Sequence, residues 1–206
     1  MSRGNSFFIS QFDMAAVLAA LSRDGAVSVP LLAQSATVSL AAAAERCSYQ
    51  PEVKTVGAAD RIVKTEYSAC EQVSDVGLYA EFQQAFQALL DESFQKIDPY
   101  PFSSKLALNS LVLQRYEPGQ LGITPHRDSS GAVNLIAIVN LSGVAEFYRC
   151  DDRQGAHAVQ LDTTPGNVIF LRAPGFLSTV VRPFHFVTGI RSIRYSLGLR
   201  QRVESL

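Results

Sequence analysis

Three residues have the types and the spacing of a metal site. His126 precedes Asp128 by two positions, and residues i and i+2 of a β-strand face the same side, so the imidazole and the carboxylate could hold one ion. His185 follows later in a run of apolar neighbours. Two histidines and one carboxylate form the ligand set that holds Fe(II) and leaves positions open for a chelating cosubstrate and oxygen. We therefore predict an iron site at His126, Asp128 and His185.

A second group lies in the segment from Arg194 to Arg200. Strand alternation places Arg194, Ser196 and Arg200, together with Gly198, on one face, and the apolar residues of the segment on the other. Arginine binds carboxylates in a bidentate manner, and the small residues between the two guanidinium groups leave room for a slim dicarboxylate. The alternative is an edge strand whose arginines are solvated.

Gln114 and Tyr116 share a face of the strand that precedes His126. Their amide and phenol could donate hydrogen bonds to the far carboxylate of such a ligand, beside Arg194. Tyr116 could equally be a core aromatic residue. His157 lies in a polar, turn-rich stretch, which predicts a surface residue.

Helical patterns dominate the first half of the chain. Asp13 can cap a helix that ends at Gly25, an alanine-rich helix is predicted from Ser35 to Cys47, and a strongly amphipathic helix from Leu78 to Ile97 should pack across a sheet. Residues 26–32 and 61–73 have β character.

From about residue 106 the pattern changes to short β-like segments separated by turn residues. These are predicted at residues 106–116, 123–128, 132–141, 145–148, 158–161, 167–172, 184–188 and 193–200. We therefore predict an α+β protein with a mainly β core, a double-stranded β-helix (jelly-roll, cupin-like barrel) with N-terminal helices packed on one sheet. Residues 1–206 are expected to form a single domain, with a helical and β support region at 1–105 and the jelly-roll catalytic core at 106–202.

The composition favours a globular protein without a strong electrostatic field. The chain has 206 residues, 47% of them hydrophobic, and 18 basic against 19 acidic residues, which gives no global attraction to nucleic acid or to an anionic membrane. Its 3 cysteines are scattered, and no apolar run reaches the length of a membrane span. We expect a soluble, cytoplasmic protein without membrane association, and its oligomeric state stays open.

Residues 106–202 resemble the Fe(II)/2-oxoglutarate dioxygenase superfamily. The segment from Arg115 to Asp128 is similar to both the AlkB family and the prolyl hydroxylases, and the segment 194–200 resembles the AlkB ending, with Ser196 in place of Asn. The resemblance implies that the His-Asp-His set binds Fe(II), that Arg194 and Tyr116 hold the distal carboxylate of 2-oxoglutarate, and that Arg200 lies near the iron end of this cosubstrate. It also implies O2 as the oxidant, with release of succinate and CO2.

The substrate is the open part of this interpretation. The AlkB pattern has a second acidic residue where this chain has Ser130, and the chain contains no Trp. A small molecule that is hydroxylated or oxidatively demethylated is therefore our first expectation. An AlkB-like nucleic-acid demethylase, a protein hydroxylase and a non-catalytic metal-binding jelly roll are the alternatives. Arg127, Phe147 and Phe176 are candidate substrate contacts because they lie near the site residues in sequence.

Overall fold

The structure is a computed structural model that describes residues 7–58, 61–73, 77–176 and 181–203. The helices within these residues are α1 (Met14–Asp24), α2 (Gln34–Ala44) and α3 (Gly77–Phe94). The strands are β1 (Ala26–Pro30), β2 (Gln50–Pro51), β3 (Lys54–Val56), β4 (Val63–Glu66), β5 (Ser68–Cys70), β6 (Ser110–Tyr116), β7 (Gly122–His126), β8 (Ala132–Ser142), β9 (Glu146–Cys150), β10 (Val159–Leu161), β11 (Asn167–Arg172), β12 (Phe184–Thr188) and β13 (Arg194–Arg202).

The strands form two antiparallel sheets that face each other. The larger sheet has the order β1-β11-β8-β13-β6-β5-β2, and the smaller sheet has the order β10-β9-β12-β7-β4-β3. Apolar side chains of the larger sheet, such as Ile136 and Ile138, pack between the sheets against Ile123, Phe147 and Val187 of the smaller one. This arrangement confirms the predicted jelly-roll core.

All three helices pack on the outer face of the larger sheet. α1 begins at Asp13, whose carboxylate accepts a hydrogen bond from the backbone N–H of Ala16 at 3.1 Å, and it ends at Gly25 in the left-handed conformation. Phe86 of α3 is fully buried and stacks with Phe170 of β11 at 6.3 Å. The predicted packing of helices on one sheet is therefore confirmed.

The alternation of side chains along β13 explains why the sequence predicts which of its residues face the site. Its residues Tyr195, Leu197 and Leu199 belong to the core between sheet and helices. The intervening residues consequently face the space between the two sheets, as expected for Arg194 and Ser196.

Several predicted boundaries are wrong. The single β segment at 61–73 divides at Tyr67 into β4 and β5, which belong to different sheets. β6 begins at Ser110 instead of residue 106, because the backbone N–H of Leu106 is bound by the Tyr100 hydroxyl and that of Leu108 by the Gln87 side chain. α2 ends at Ala44 and α3 at Phe94, each three residues earlier than predicted.

Residues before 106 add strands to both sheets. β1 pairs with β11 in the larger sheet, and β4 pairs with β7 in the smaller one. None of the helices in the described ranges has the length and apolarity needed to cross a lipid bilayer.

Candidate metal centre

His126, Asp128 and His185 converge between the two sheets. His126 is the last residue of β7 and lies directly opposite His185 of β12. Asp128 was predicted on the same strand as His126, but β7 ends before it and Asp128 lies in the following loop. One ligand atom from each of the three residues lies within 4.8 Å of the others. The His126 and His185 Nε2 atoms are 3.6 Å and 3.5 Å from Asp128 Oδ1.

Both imidazoles direct Nε2 toward Asp128 Oδ1. Nδ1 of His126 lies 3.0 Å from the carbonyl oxygen of Thr124, so an N–H at Nδ1 donates to that carbonyl and Nε2 is the ring nitrogen available to a metal. Burial, followed by the nearby His126, lowers the pKa of His185 to about 4. The His185 ring also stacks on Phe147, with the planes 10° apart, which fixes its orientation. Imidazoles held in this way are suitable ligands for a divalent metal.

The Asp128 carboxylate is charged although it is buried. Burial alone would raise its pKa, but the Arg200 guanidinium outweighs that effect and holds the pKa well below its ordinary value. Arg200 Nε donates to Oδ2 of Asp128, while Arg182 donates to the backbone carbonyl of the same residue at 3.0 Å. The third candidate ligand is thus an oriented anion.

Arg194 is a buried cation that faces only neutral partners. Its side chain donates to Ser196 Oγ at 3.0 Å and to Asn140 Oδ1 at 2.8 Å, and it lies 5.1 Å from the centroid of the Tyr116 ring. Among the described residues no carboxylate lies within 4 Å of it. Because burying an unpaired charge is costly, this guanidinium is suited to bind an anionic ligand.

One cavity of about 110 Å³ connects the histidine and aspartate group with Arg194. Gln114, Tyr116 and Arg200 line it, as the sequence analysis expects of side chains on inward faces. Ser196 lies beside it, with its hydroxyl 3.5 Å from Gln114 Oε1.

Two residues of this region were missed by the sequence analysis. Tyr67 lines the cavity and stacks on Tyr116 at 5.3 Å, and Asn140 is the main partner of Arg194. Asn140 was detectable in principle, since it is a polar residue within the apolar run of a predicted inner strand. Tyr67 carried no such signal, because the break between β4 and β5 that positions it was not predicted.

Solved structures with the same fold are oxygenases and prolyl hydroxylases. A prolyl-4-hydroxylase from Pseudomonas putida superposes with a TM-score of 0.64 at 16% identity, over 92% of this chain and 99% of that one. A prolyl hydroxylase from Trichoplax adhaerens, solved with a hypoxia inducible factor peptide fragment, gives 0.64 at 11% identity, over 90% and 87%. A 2OG-Fe(II) oxygenase family protein from Burkholderia pseudomallei gives 0.62 at 14% identity, over 96% of each chain.

The chain has the fold of the Fe(II)/2-oxoglutarate oxygenases. At the level of sequence alone, comparison with protein-family models and with curated proteins finds no match. The likeness therefore concerns the oxygenase fold, and the chemistry has to be argued from the side chains.

The three candidate substrate contacts and His157 lie at different positions relative to the cavity between the two sheets. Phe147 lines the cavity, and Arg127 lines a wider opening of about 320 Å³ beside it. Phe176 packs against Phe102 in the core on the helix side of the larger sheet, so the prediction of a substrate contact there is wrong. His157 is 85% exposed and bonded to Asp151, which confirms a surface position.

Proposed function

We propose that this protein is an Fe(II)- and 2-oxoglutarate-dependent dioxygenase that hydroxylates, or oxidatively demethylates, a small molecule. The observation that carries the proposal is the arrangement of the cavity. A two-histidine, one-carboxylate group lies on one side, and a buried arginine without an acidic partner among the described residues lies on the other. In the overall reaction, a substrate C–H bond, 2-oxoglutarate and O2 give the C–OH product, succinate and CO2.

The three proposed metal ligands fit Fe(II). His126 and His185 offer Nε2 atoms and Asp128 offers Oδ1, while Oδ2 is bound by Arg200. Such a ligand set would hold Fe(II) and would leave positions open for a chelating cosubstrate and oxygen. Bound iron with these two partners supplies the oxidising power for cleavage of a C–H bond.

Arg194 is proposed to bind the distal carboxylate of 2-oxoglutarate. A carboxylate would replace the neutral acceptors Ser196 and Asn140 as its main partner and would relieve the cost of burying the unpaired charge. Burial strongly raises the pKa of Tyr116, so its hydroxyl stays protonated and can donate to the same carboxylate, with Gln114 beside it. Arg200 is proposed to lie near the iron end of the cosubstrate.

A peptide substrate is the second candidate. The Trichoplax adhaerens neighbour was solved with a peptide fragment, and it shares the fold over 90% of this chain. A small molecule remains our first choice because the chain has no strong net charge and no sequence motif typical of peptide or nucleic-acid binding.

The test is an anaerobic titration of the purified protein with Fe(II) and 2-oxoglutarate, followed by the visible charge-transfer band of the chelated metal. We expect the band in the wild-type protein and its loss in Asp128→Ala, which deletes the charged ligand. Iron-dependent formation of succinate on admission of oxygen then separates an enzyme from a metal-binding scaffold. A folded wild-type protein that binds iron but gives neither the band nor succinate would overturn the proposal.

A further inference from the structure

Two arginines lie against the ring of Phe184 at the edge of the candidate metal centre, and a third lies two residues before it in the chain. The guanidinium carbon of Arg127 lies 4.0 Å, and that of Arg153 5.4 Å, from the centroid of the Phe184 ring. Arg182, two residues before Phe184, reaches the backbone carbonyl of the metal ligand Asp128. Arg127 itself lies between His126 and Asp128 in the chain and lines the opening that these ligands share. We refer to Arg127, Arg153 and Arg182 as the rim cluster.

No acidic residue neutralises the rim cluster within the described ranges. None of the ion pairs among those residues involves a member of the cluster. Nε of Arg127 and one terminal nitrogen of Arg153 are buried without a hydrogen-bond partner. The guanidinium groups of Arg127 and Arg153 lie against the same ring, so partly buried like charges lie close together with unused donors.

Such a cluster costs free energy unless an anion binds to it. Each buried donor without an acceptor is destabilising, and the mutual repulsion of the cations adds to this. Guanidinium groups donate in pairs to the oxygens of phosphate and carboxylate groups. Several arginines together match a dianionic, tetrahedral group with several acceptor oxygens better than a single carboxylate.

We propose that the rim cluster binds the phosphate group of a phosphorylated small-molecule substrate and so directs the reacting carbon of that substrate toward the metal. This inference rests on the proposed function and names the substrate class of the same site. It adds an anion subsite separate from the cavity in which Arg194 is proposed to bind 2-oxoglutarate.

A small phosphate ester fits this surface better than a nucleic acid. Asp151 and Asp152 directly precede Arg153 in the chain, and Glu52 and Glu71 line the same wide opening as Arg127. A polyanion that extended beyond the rim cluster would meet these carboxylates, whereas a single phosphate group needs only the arginines.

The proposal can be tested without iron or 2-oxoglutarate, so that its failure is distinct from failure of the proposed reaction. Inorganic phosphate is titrated into the metal-free protein by calorimetry at constant ionic strength, with acetate as the comparison anion. The variants are Arg127→Gln, Arg153→Gln and the double variant. Arg191→Gln is the control, since Arg191 is an exposed arginine already paired with Glu146.

We expect phosphate to bind more tightly than acetate, each single variant to weaken phosphate binding about tenfold, and the double variant to abolish it, with no change in Arg191→Gln. 2-Oxoglutarate should not displace phosphate. Displacement by 2-oxoglutarate, or retention of phosphate binding in the double variant, would place the anion elsewhere and overturn the assignment. A single-stranded oligonucleotide that bound far more tightly than phosphate would contradict the small-molecule substrate class.

The second arm uses turnover. In the iron-dependent succinate assay, phosphorylated compounds are compared with their dephosphorylated counterparts. We expect faster succinate formation with the phosphorylated member of a productive pair, and loss of that preference in Arg153→Gln but not in the control Arg191→Gln. A productive pair with no phosphate preference would refute the proposal and leave the oxygenase assignment intact.

Discussion

Arg200 and Asp128 form a nearly buried ion pair in which each oxygen of the carboxylate has a separate role. Nε of Arg200 donates to Oδ2, whereas Oδ1 faces the Nε2 atoms of His126 and His185. The Asp128 side chain is only 10% exposed and that of Arg200 only 13%. The arginine thus keeps the carboxylate ionised and oriented without occupying the oxygen that is directed at the metal position.

Replacement of Arg200 by Gln should destabilise the metal-free protein in a pH-dependent manner. Removal of one partner from a buried ion pair leaves an uncompensated charge, so we expect the free energy of unfolding to fall by about 3–5 kcal/mol at pH 7. The pKa of Asp128 is depressed in the folded state, so its contribution is present above the pKa of the unfolded chain and is lost as pH falls. The difference between variant and wild type should therefore shrink in acid.

Denaturant unfolding at several pH values measures this effect. Arg202→Gln is the matched control, because Arg202 lies two residues further along β13 and is exposed. Its unfolding free energy should change by no more than about 0.5 kcal/mol. A loss in Arg200→Gln that stayed constant down to low pH would show that the ion pair is not its cause.

Arg194→Gln should separate cosubstrate binding from metal binding. Arg194 is 1% exposed and its guanidinium contacts neutral side chains at distances of 2.8 Å and 3.0 Å, while the metal ligands lie on other strands and loops. We expect 2-oxoglutarate affinity to fall by about 100-fold or more and Mn(II) affinity to stay within about threefold, both by anaerobic titration. An equal loss of both, or normal 2-oxoglutarate binding, would remove Arg194 from its proposed role. Arg191→Gln serves as the exposed control.

The candidate site was largely predictable because its parts follow the period of the β-strand. The alternation of Arg194, Ser196 and the intervening apolar residues gave the correct inward face of β13, and the spacing of His126 and Asp128 brought both to one point. The argument for Asp128 used the wrong local structure, since this residue lies beyond the end of β7. A separation of two residues was enough to bring both side chains to one point, although Asp128 lies in a loop and not on the strand.

The parts that were not predictable depend on contacts between segments distant in sequence. The hydrogen bond between Arg194 and Asn140 joins β13 to β8. The rim cluster joins the loop after β9, which carries Arg153, to the segments beside the candidate metal ligands, which carry Arg127 and Arg182. Neither follows from a local period. Phe176 illustrates the opposite error. It is close to His185 in sequence, but it packs in the core on the far side of the larger sheet.

Phe86→Ala should test how far the helical layer supports the sheet that carries β13. Phe86 is fully buried and contacts the rings of Phe8, Phe82 and Phe170. We expect the free energy of unfolding to fall by about 3–5 kcal/mol, from lost burial and the cavity that remains. Val38→Ala, at a position 62% exposed on α2, should change it by less than about 0.5 kcal/mol. A small effect at Phe86 would mean that the helices pack loosely on the sheet.

Asn140→Asp should convert the anion site into a self-neutralised ion pair. Asn140 Oδ1 already accepts from Arg194 at 2.8 Å, so a carboxylate at this position would pair with the guanidinium in the absence of ligand. The distal carboxylate of 2-oxoglutarate would then meet a neutralised arginine and a repelling charge. We expect 2-oxoglutarate affinity to fall by about tenfold or more while Mn(II) affinity is unchanged.

Asn140→Ala is the matched control for the charge. It removes the same hydrogen bond to Arg194, and the bond from the Asn140 amide to the carbonyl of Asn167, without adding a negative charge. Because Arg194 stays unpaired in this variant, its 2-oxoglutarate affinity should remain within a few-fold of the wild type even if the protein is less stable. Equal losses of affinity in the Asp and Ala variants would indicate that Asn140 acts by positioning Arg194. The unpaired positive charge of this arginine would then not account for cosubstrate binding.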